Sequence, residues 1–326
     1  MDYKSAGVNI DTAEELVSWL QENQDDATHK ELRVEGIGGF ASLFRLPSGM
    51  KNPCIVSCTD GVGTKLKLAF EFKDYESVGV DLVAMCVNDM ATVGAQPLFF
   101  LDYFSIGKLE LDIAKPFLAG VMKACRESHC LLIGGETAEM PGFYPKGEFD
   151  CAGFAVGVVD GSEAWGKNRV KEGDRLYGIR SSGFHSNGYS LIRKIFEKDI
   201  GEHIDVLKRP TRLYVKPVLD LLKDRVEIHA AAHITGGGFD NVGRVIPKGL
   251  GWKVPKFEFP EIYREVKSRT GLDDRKILKT FNCGFGFILI APEDSRQSIE
   301  KAFGEIHDFG LIAKSASEER LDWGNW

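Results

Sequence analysis

Apolar residues Leu16, Trp19 and Leu20 recur at helical spacing and predict an amphipathic helix from Thr12 to Gln24, with Asp11 placed to cap it. A strand opens at Ile55 to Ser57 and runs straight into a glycine-rich segment, and a long helix follows from Asp81 to Gly94. The run Pro97 to Phe104 is too apolar and aromatic for a surface loop and predicts a buried strand. Ile113 to Glu127 reads as a helix, Leu131 to Gly135 as a strand ending in a tight glycine turn, and Cys151 to Asp160 as a further strand. From Lys167 to Asp174 the chain turns polar without an apolar run, which marks a domain boundary. The same grammar then repeats: a strand at Leu176 to Arg180, a turn over Ser181 to Gly188, and helices over Tyr189 to Lys198 and Val215 to Leu222. The pattern predicts two mixed α/β domains, residues 1–167 and 168–326.

Length agrees, because 326 residues exceed what one hydrophobic core usually holds. A formal charge of −7 argues against a nucleic-acid surface, though not against a phosphorylated ligand, whose charge backbone amides, a few lysines or a metal can meet locally. The seven cysteines are odd in number and form no CxxC pair, so neither a disulfide framework nor a zinc ribbon is indicated and a reducing compartment fits best. With no basic-then-apolar leader and no run near the roughly 20 apolar residues of a membrane span, the expectation is a soluble, cytoplasmic protein.

The most informative segment is Thr59-Asp60-Gly61-Val62-Gly63-Thr64-Lys65. Glycines let backbone N–H groups approach phosphate oxygens, a lysine neutralises charge and an aspartate can hold Mg²⁺. It is neither a Walker A loop nor a GxGxxG turn, and read alone it is also compatible with a glycine-rich hairpin. Asn88 and Asp89 lie in an otherwise apolar helix and must find partners there, whether a metal or a hydrogen-bond network. Glu136 follows two glycines at the expected end of a strand, where α/β folds bind ligands, although a Glu in a turn is more often simply solvated. Asp102, inside FFLDYF, raises the question of what an acid does in an aromatic strand, a hydrogen bond to backbone amides being the bland answer. Ser182, Gly183, His185, Ser186 and Asn187 crowd a strand-to-helix turn that could cradle a phosphate, with His185 the group titrating nearest neutrality, or could merely cap the helix well. His229 and His233 would share a face if HAAAH were helical, but Ala230 stands where a zincin needs its Glu; His233 precedes the flexible Thr235-Gly236-Gly237-Gly238.

Taken in order, the blocks DYKSAGV, SCTDGVGTKLKLA, GVDLVAMCVNDM, PLFFLDYFSIGKL, GGETAEMPGFY, SSGFHSNGYSLIRKI, HITGGGF and KTFNCGFG resemble the phosphoribosylformylglycinamidine cyclo-ligase (aminoimidazole ribonucleotide synthetase) family from Asp2 to Gly286. The resemblance implies two α/β domains, the N-terminal ones of two subunits pairing through their sheets into a barrel-like homodimer core. It implies ATP-dependent closure of formylglycinamidine ribonucleotide to aminoimidazole ribonucleotide, with Mg²⁺ and possibly K⁺, in purine biosynthesis. Carried over by motif, Lys4, Asp60, Gly61, Gly63, Thr64, Lys65 and Asp81 would serve ATP; Asp60, Asn88, Asp89 and Glu136 the metal; Ser182, Gly183, Ser186 and Asn187 the substrate; and His185, His233 and Glu136 catalysis. Phe184 stands where proline is common, and a shortened GGGFDNVGR leaves any role of Asp240 open. Selenophosphate synthetase would need a cysteine or selenocysteine in an early glycine-rich loop, and a hydrogenase maturation protein would end in a reactive cysteine; GIGGFASL holds none and the chain ends Gly-Asn-Trp. Thiamine-phosphate kinase and a nucleotide-binding module without turnover are the remaining alternatives.

Overall fold

The computed structural model describes residues 10–24, 28–35, 37, 41–324 and 326. It divides into two compact units, one ending at Ser162 and the other running from Glu163 and including Ala91–Gly94.

In the first unit, α1 (Ile10–Asn23) precedes β1 (Pro53–Gly61), a 3-10 turn at Gly63–Lys65, α2 (Leu66–Phe72) and α3 (Tyr75–Ala91). Then come β2 (Gln96–Ile106), α4 (Leu111–Glu127), β3 (Leu131–Glu139) and β4 (Phe149–Asp160). The four strands form a sheet in the order β1-β4-β2-β3, antiparallel except for the β2–β3 pair. Alternation along each strand gives the sheet two unlike sides. One is closed by α3: the Cys58 thiol donates to the Cys86 carbonyl, and a Cβ on Gly153 or Gly157 would meet the sulfur of Cys86 or Met90. The other carries Ile55, Phe154 and Tyr103, all exposed, with Phe99 covered by Phe44. α3 is apolar on nearly every side and correspondingly buried from Val78 to Asn88, as expected of a helix without a polar face.

Three expectations change here. Asp11 falls inside the first turn of α1 and does not cap it. β1 continues through Asp60 and Gly61, so that aspartate belongs to the strand. Paired in parallel with β2, β3 runs on through Gly134 and Gly135 to Glu139, and no glycine turn forms; ladder hydrogen bonding to Leu101–Ile106 overrides the local preference of the glycines.

The second unit contains β5 (Arg175–Arg180), α5 (Tyr189–Ile195), α6 (Ile200–Leu207), α7 (Val215–Lys223), β6 (Ala230–His233) and β7 (Leu250–Lys253). It closes with α8 (Glu261–Thr270), α9 (Asp274–Thr280), β8 (Phe285–Ala291), α10 (Arg296–Phe303), β9 (Ile306–Lys314) and β10 (Leu321–Asp322). Its six strands are ordered β10-β7-β9-β5-β8-β6, and β8 is buried along its whole length. HAAAH is the strand β6 and its lead-in, not a helix, so the two imidazoles do not share a helical face. His229 instead lies between two carboxylates, Nδ1 2.7 Å from Asp174 and Nε2 2.8 Å from Glu227. The predicted helix after Gly188 stops at Ile195, and the chain restarts as α6.

Candidate active site

In the first unit, β1 delivers Asp60 to the sheet side closed by α3, where its carboxylate accepts the Gly61 amide at 2.8 Å. The turn beyond leaves Gly63 and Thr64 exposed, with Gly63 in the left-handed region at φ 67°. Lys65 points the other way. Its ammonium is 1% exposed and 2.6 Å from the carboxylate of Asp81, itself fully buried on α3. Burial pulls the Lys65 pKa down, and Asp81 opposes that by holding the charge. Two residues expected to face ATP are thus joined inside the fold. Asn88 is fully buried and Asp89 exposed, so the adjacent polar pair divides between interior and surface.

Glu136 is exposed, and its register partner on β2 is Tyr103; Asp60 and Asp102 both pair with Gly153. A period of two therefore puts Glu136 on the open side of the sheet and Asp60 on the helical side. The sheet of one chain does not bring these two carboxylates together. Asp240 reaches Lys279 at 3.5 Å. Lys4 lies outside the described residues.

In the second unit, residues Ser181 to Gly188 link β5 to α5 and are held from outside by Asn282 and Tyr263. Asn282 donates to the Gly183 carbonyl at 2.9 Å, and its Oδ1 accepts from the Ser181 hydroxyl and the Gly284 amide. The Tyr263 hydroxyl stands 2.7 Å from that Oδ1 and 3.0 Å from the Gly183 carbonyl. Ser182 donates to the Pro210 carbonyl at 2.6 Å, and Ser186 and Thr211 share a hydrogen bond at 3.3 Å. Asn187 holds its Oδ1 beside Gly236, while its Nδ2 is buried with no partner among the described residues. The Thr235–Gly238 turn is braced in turn by Asn241, whose Oδ1 accepts the Thr235 amide at 2.9 Å.

His185 departs from its expected placement. It takes the left-handed backbone at φ 60°, which only a structurally enforced non-glycine residue keeps, and its ring is fully buried. Nε2 accepts the Ser182 amide at 3.4 Å, and ring centroids lie 6.2 Å from both Tyr214 and His233. Gly286 makes this possible, since a Cβ there would stand 2.2 Å from the imidazole and 2.3 Å from the Tyr214 hydroxyl. His233 is 5% exposed in the same nest. Sequence reasoning singled out the turn but missed Asn282 and Tyr263, which hold it from distant segments, and Asn241, which braces the Thr235–Gly238 turn; only the polar residue within FNCGFG hinted at one of them.

Solved structures share this architecture. A hydrogenase maturation protein HypE in complex with ATP is 20% identical, covers 94% of this chain and 87% of its own, and superposes with a TM-score of 0.65. Thiamine-monophosphate kinase from Stenotrophomonas maltophilia is 18% identical, covers 96% of both chains and gives 0.64. They define the class: a two-domain fold of the AIR synthase type, whose "AIR synthase related protein" N-terminal and C-terminal domain models match residues 40–159 and 171–321. Within that class, the phosphoribosylformylglycinamidine cyclo-ligase of Xylella fastidiosa is 48% identical over 341 residues, covering 99% of this chain and 97% of its own. That of Xanthomonas euvesicatoria is 48% identical over 316 residues, 93% of this chain and 92% of its own. The chain belongs to the phosphoribosylformylglycinamidine cyclo-ligase family, and its activity is that family's ATP-dependent cyclo-ligase activity in purine biosynthesis. Among the described residues, no helix is long and apolar enough to cross a membrane.

Proposed function

We propose that the chain converts formylglycinamidine ribonucleotide and ATP into aminoimidazole ribonucleotide, ADP and phosphate, and that its two units divide the work. The near full-length identity to cyclo-ligases carries the reaction. The division follows from the two constellations. Asp60, Gly61, exposed Gly63 and Thr64, and Lys4 serve the nucleotide, and the Lys65–Asp81 pair fixes the start of α2 against α3 beneath them. Carboxylates are hard oxygen donors of the kind Mg²⁺ prefers, so Asp60, Asp89 and Glu136 each suit that ion by chemistry, as does the amide oxygen of Asn88, and K⁺ is a second cation for the same kind of donor. Bound Mg²⁺ would neutralise phosphate charge. Because Asp60 and Glu136 occupy opposite sides of the sheet, they serve different ions or different subunits.

Ser182, Gly183, Ser186 and Asn187 receive the ribonucleotide, with the unpartnered Nδ2 of Asn187 the donor most available to it. His185 and His233 act from beneath, where an imidazole can hold or pass a proton through the Ser182–Asn187 turn. Phosphoryl transfer of this kind relies on positioning and charge neutralisation more than on a protein nucleophile. A homodimer is supported by the open side of the first sheet, which carries exposed Ile55, Phe154 and Tyr103, and by β1 being an edge strand. The enzyme acts in the cytoplasm, where its seven free cysteines stay reduced.

The test is product formation. Purified protein with Mg²⁺ consumes ATP only when formylglycinamidine ribonucleotide is present and yields one aminoimidazole ribonucleotide per ATP. Asp60→Asn lowers turnover by ~100-fold, the cost of losing one electrostatic contact in a preorganised site, while sedimentation still finds the dimer. ATP consumption without that product would overturn the reading, and full turnover by Asp60→Asn would overturn the role of Asp60.

A further inference from the structure

Asp102 is a buried acid that the roles above leave unused. It lies on the helix-closed side of β2, between Phe100 and Phe104, both fully buried, and is itself 7% exposed. In register it occupies one row with Asp60, Gly153 and Gly135. Its carboxyl rests against Gly135, where a Cβ would stand 2.2 Å from Oδ1 and 2.6 Å from the Asp102 carbonyl. Gly135 is exposed, so this notch adjoins the surface. No side chain could replace the glycine without displacing the acid.

What is missing is a counter-charge. Among the described residues no Lys, Arg or His pairs with Asp102, and its own backbone N–H is the one hydrogen bond it receives. The ionisable groups facing it are the thiols of Cys125 on α4 and Cys151 on β4, with Asp60 across Gly153 in the same row; none is a cation. Lys65, the buried lysine of the same unit, is committed to Asp81. Burial pushes the Asp102 carboxyl up to about 7. An isolated buried acid costs stability that an amide or an apolar residue would not, and sequences keep such groups where chemistry needs them.

The substrate of the reaction supplies the complement. Its amidine is planar, cationic when protonated, and presents N–H donors in the fork that a carboxylate accepts. It must also lose a proton before its nitrogen can attack. We propose that Asp102 is the catalytic base that takes the amidinium proton before ring closure, an assignment that rests on the cyclo-ligase reading. The N–H bond breaks, its proton goes to an Asp102 oxygen, and its electron pair stays on nitrogen. That pair forms the new C–N bond to the phosphorylated carbon, the C–O bond to phosphate breaks, and phosphate leaves with the electrons. The proton on Asp102 then returns to water past Gly135.

Asp102→Asn and Asp102→Glu test this with three readouts. For Asn we expect kcat to fall by ~100-fold or more, in the range of a lost general base, with ADP affinity unchanged. Thermal stability should move oppositely. A carboxyl held above its unfolded value stabilises the fold fully below about pH 4, and that contribution drains away as pH rises to about 7. The Asn variant therefore gains on wild type between pH 5 and 8 while losing activity. Wild-type kcat should decline as pH falls through about 7, and Asp102→Glu should recover part of kcat with that decline displaced. Wild-type kcat for Asn, or an unmoved acid limb in Glu, overturns the assignment. If wild type itself makes no aminoimidazole ribonucleotide, it is the cyclo-ligase reading that falls.

Discussion

The surroundings of Lys65 in the first unit and of the Ser181–Gly188 turn in the second bury polar groups in different ways. In the first, Lys65 and Asp81 form a buried ion pair 2.6 Å long, while Asp102 is buried with no cation paired to it among the described residues. In the second, the Ser181–Gly188 turn is held by amides and hydroxyls linked to one another, with Asn282 engaging Ser181, Gly183, Tyr263 and Gly284, while His185 and His233 are buried beneath it and Asp174 is buried against His229 elsewhere in the unit. A neutral network satisfies itself and fixes a loop. Buried charge is a poor way to add stability, because desolvation opposes the Coulombic gain. Lys65 and Asp81 therefore place buried charge between α2 and α3, whereas Asn282 fixes the Ser181–Gly188 turn by neutral hydrogen bonds.

The sharpest way to break this contrast is to remove half of the ion pair. Asp81→Ala removes the carboxylate beside Lys65, which is 1% exposed, and unfolding in urea should show a loss of about 3–5 kcal/mol. Replacing both partners by apolar residues, Lys65→Met with Asp81→Leu, should restore most of that stability, since an apolar pair of similar volume is often neutral or better. A double variant as unstable as the single one would show that the pair itself, and not the orphaned lysine, holds α2 to α3.

Asn282→Ala is the matching cut in the second unit. It withdraws the acceptor of Ser181 and Gly284 and the donor to Gly183, all inside the protein, and about 1–3 kcal/mol is the usual penalty for one buried group left unsatisfied. The distinguishing result is kinetic: KM for the ribonucleotide should rise with KM for ATP unchanged. An equal rise in both would mean that the neutral network does more than shape its own turn.

The elements were largely legible in the sequence because their signals are local. Leu16, Trp19 and Leu20 gave α1, and the apolar run Pro97 to Phe104 gave β2. The candidate site was legible as a set of segments but not as an arrangement. Gly134-Gly135 reads as a turn until parallel pairing with β2 is known, and only that pairing puts Glu136 on the side of the sheet away from Asp60. His185 looks like a ligand-facing imidazole until the missing side chain of Gly286, far along the chain, is seen to admit its ring to the interior. Lys65 looks like a phosphate ligand because nothing within its heptapeptide reveals Asp81. In each case the deciding partner comes from a distant segment, which periodicity and turn chemistry do not report.

The smallest expected effect sets the scale for the others. Arg296 and Glu300 form an ion pair at 3.2 Å, one turn apart on α10, with both side chains 44% exposed. Water screens that attraction, and two long side chains lose freedom to hold it, so Glu300→Ala should cost no more than about 0.3–0.5 kcal/mol. At 3.2 Å against 2.6 Å for Lys65–Asp81, it is an exposed counterpart to the buried pair and a control for burial. Raising salt should erase the small difference at Glu300 and leave the loss in Asp81→Ala standing, because exposed charges are screened and buried ones are not. Comparable salt sensitivity at both sites would mean that water reaches Lys65, and the contrast between the Lys65–Asp81 pair and the Asn282 network would then fall.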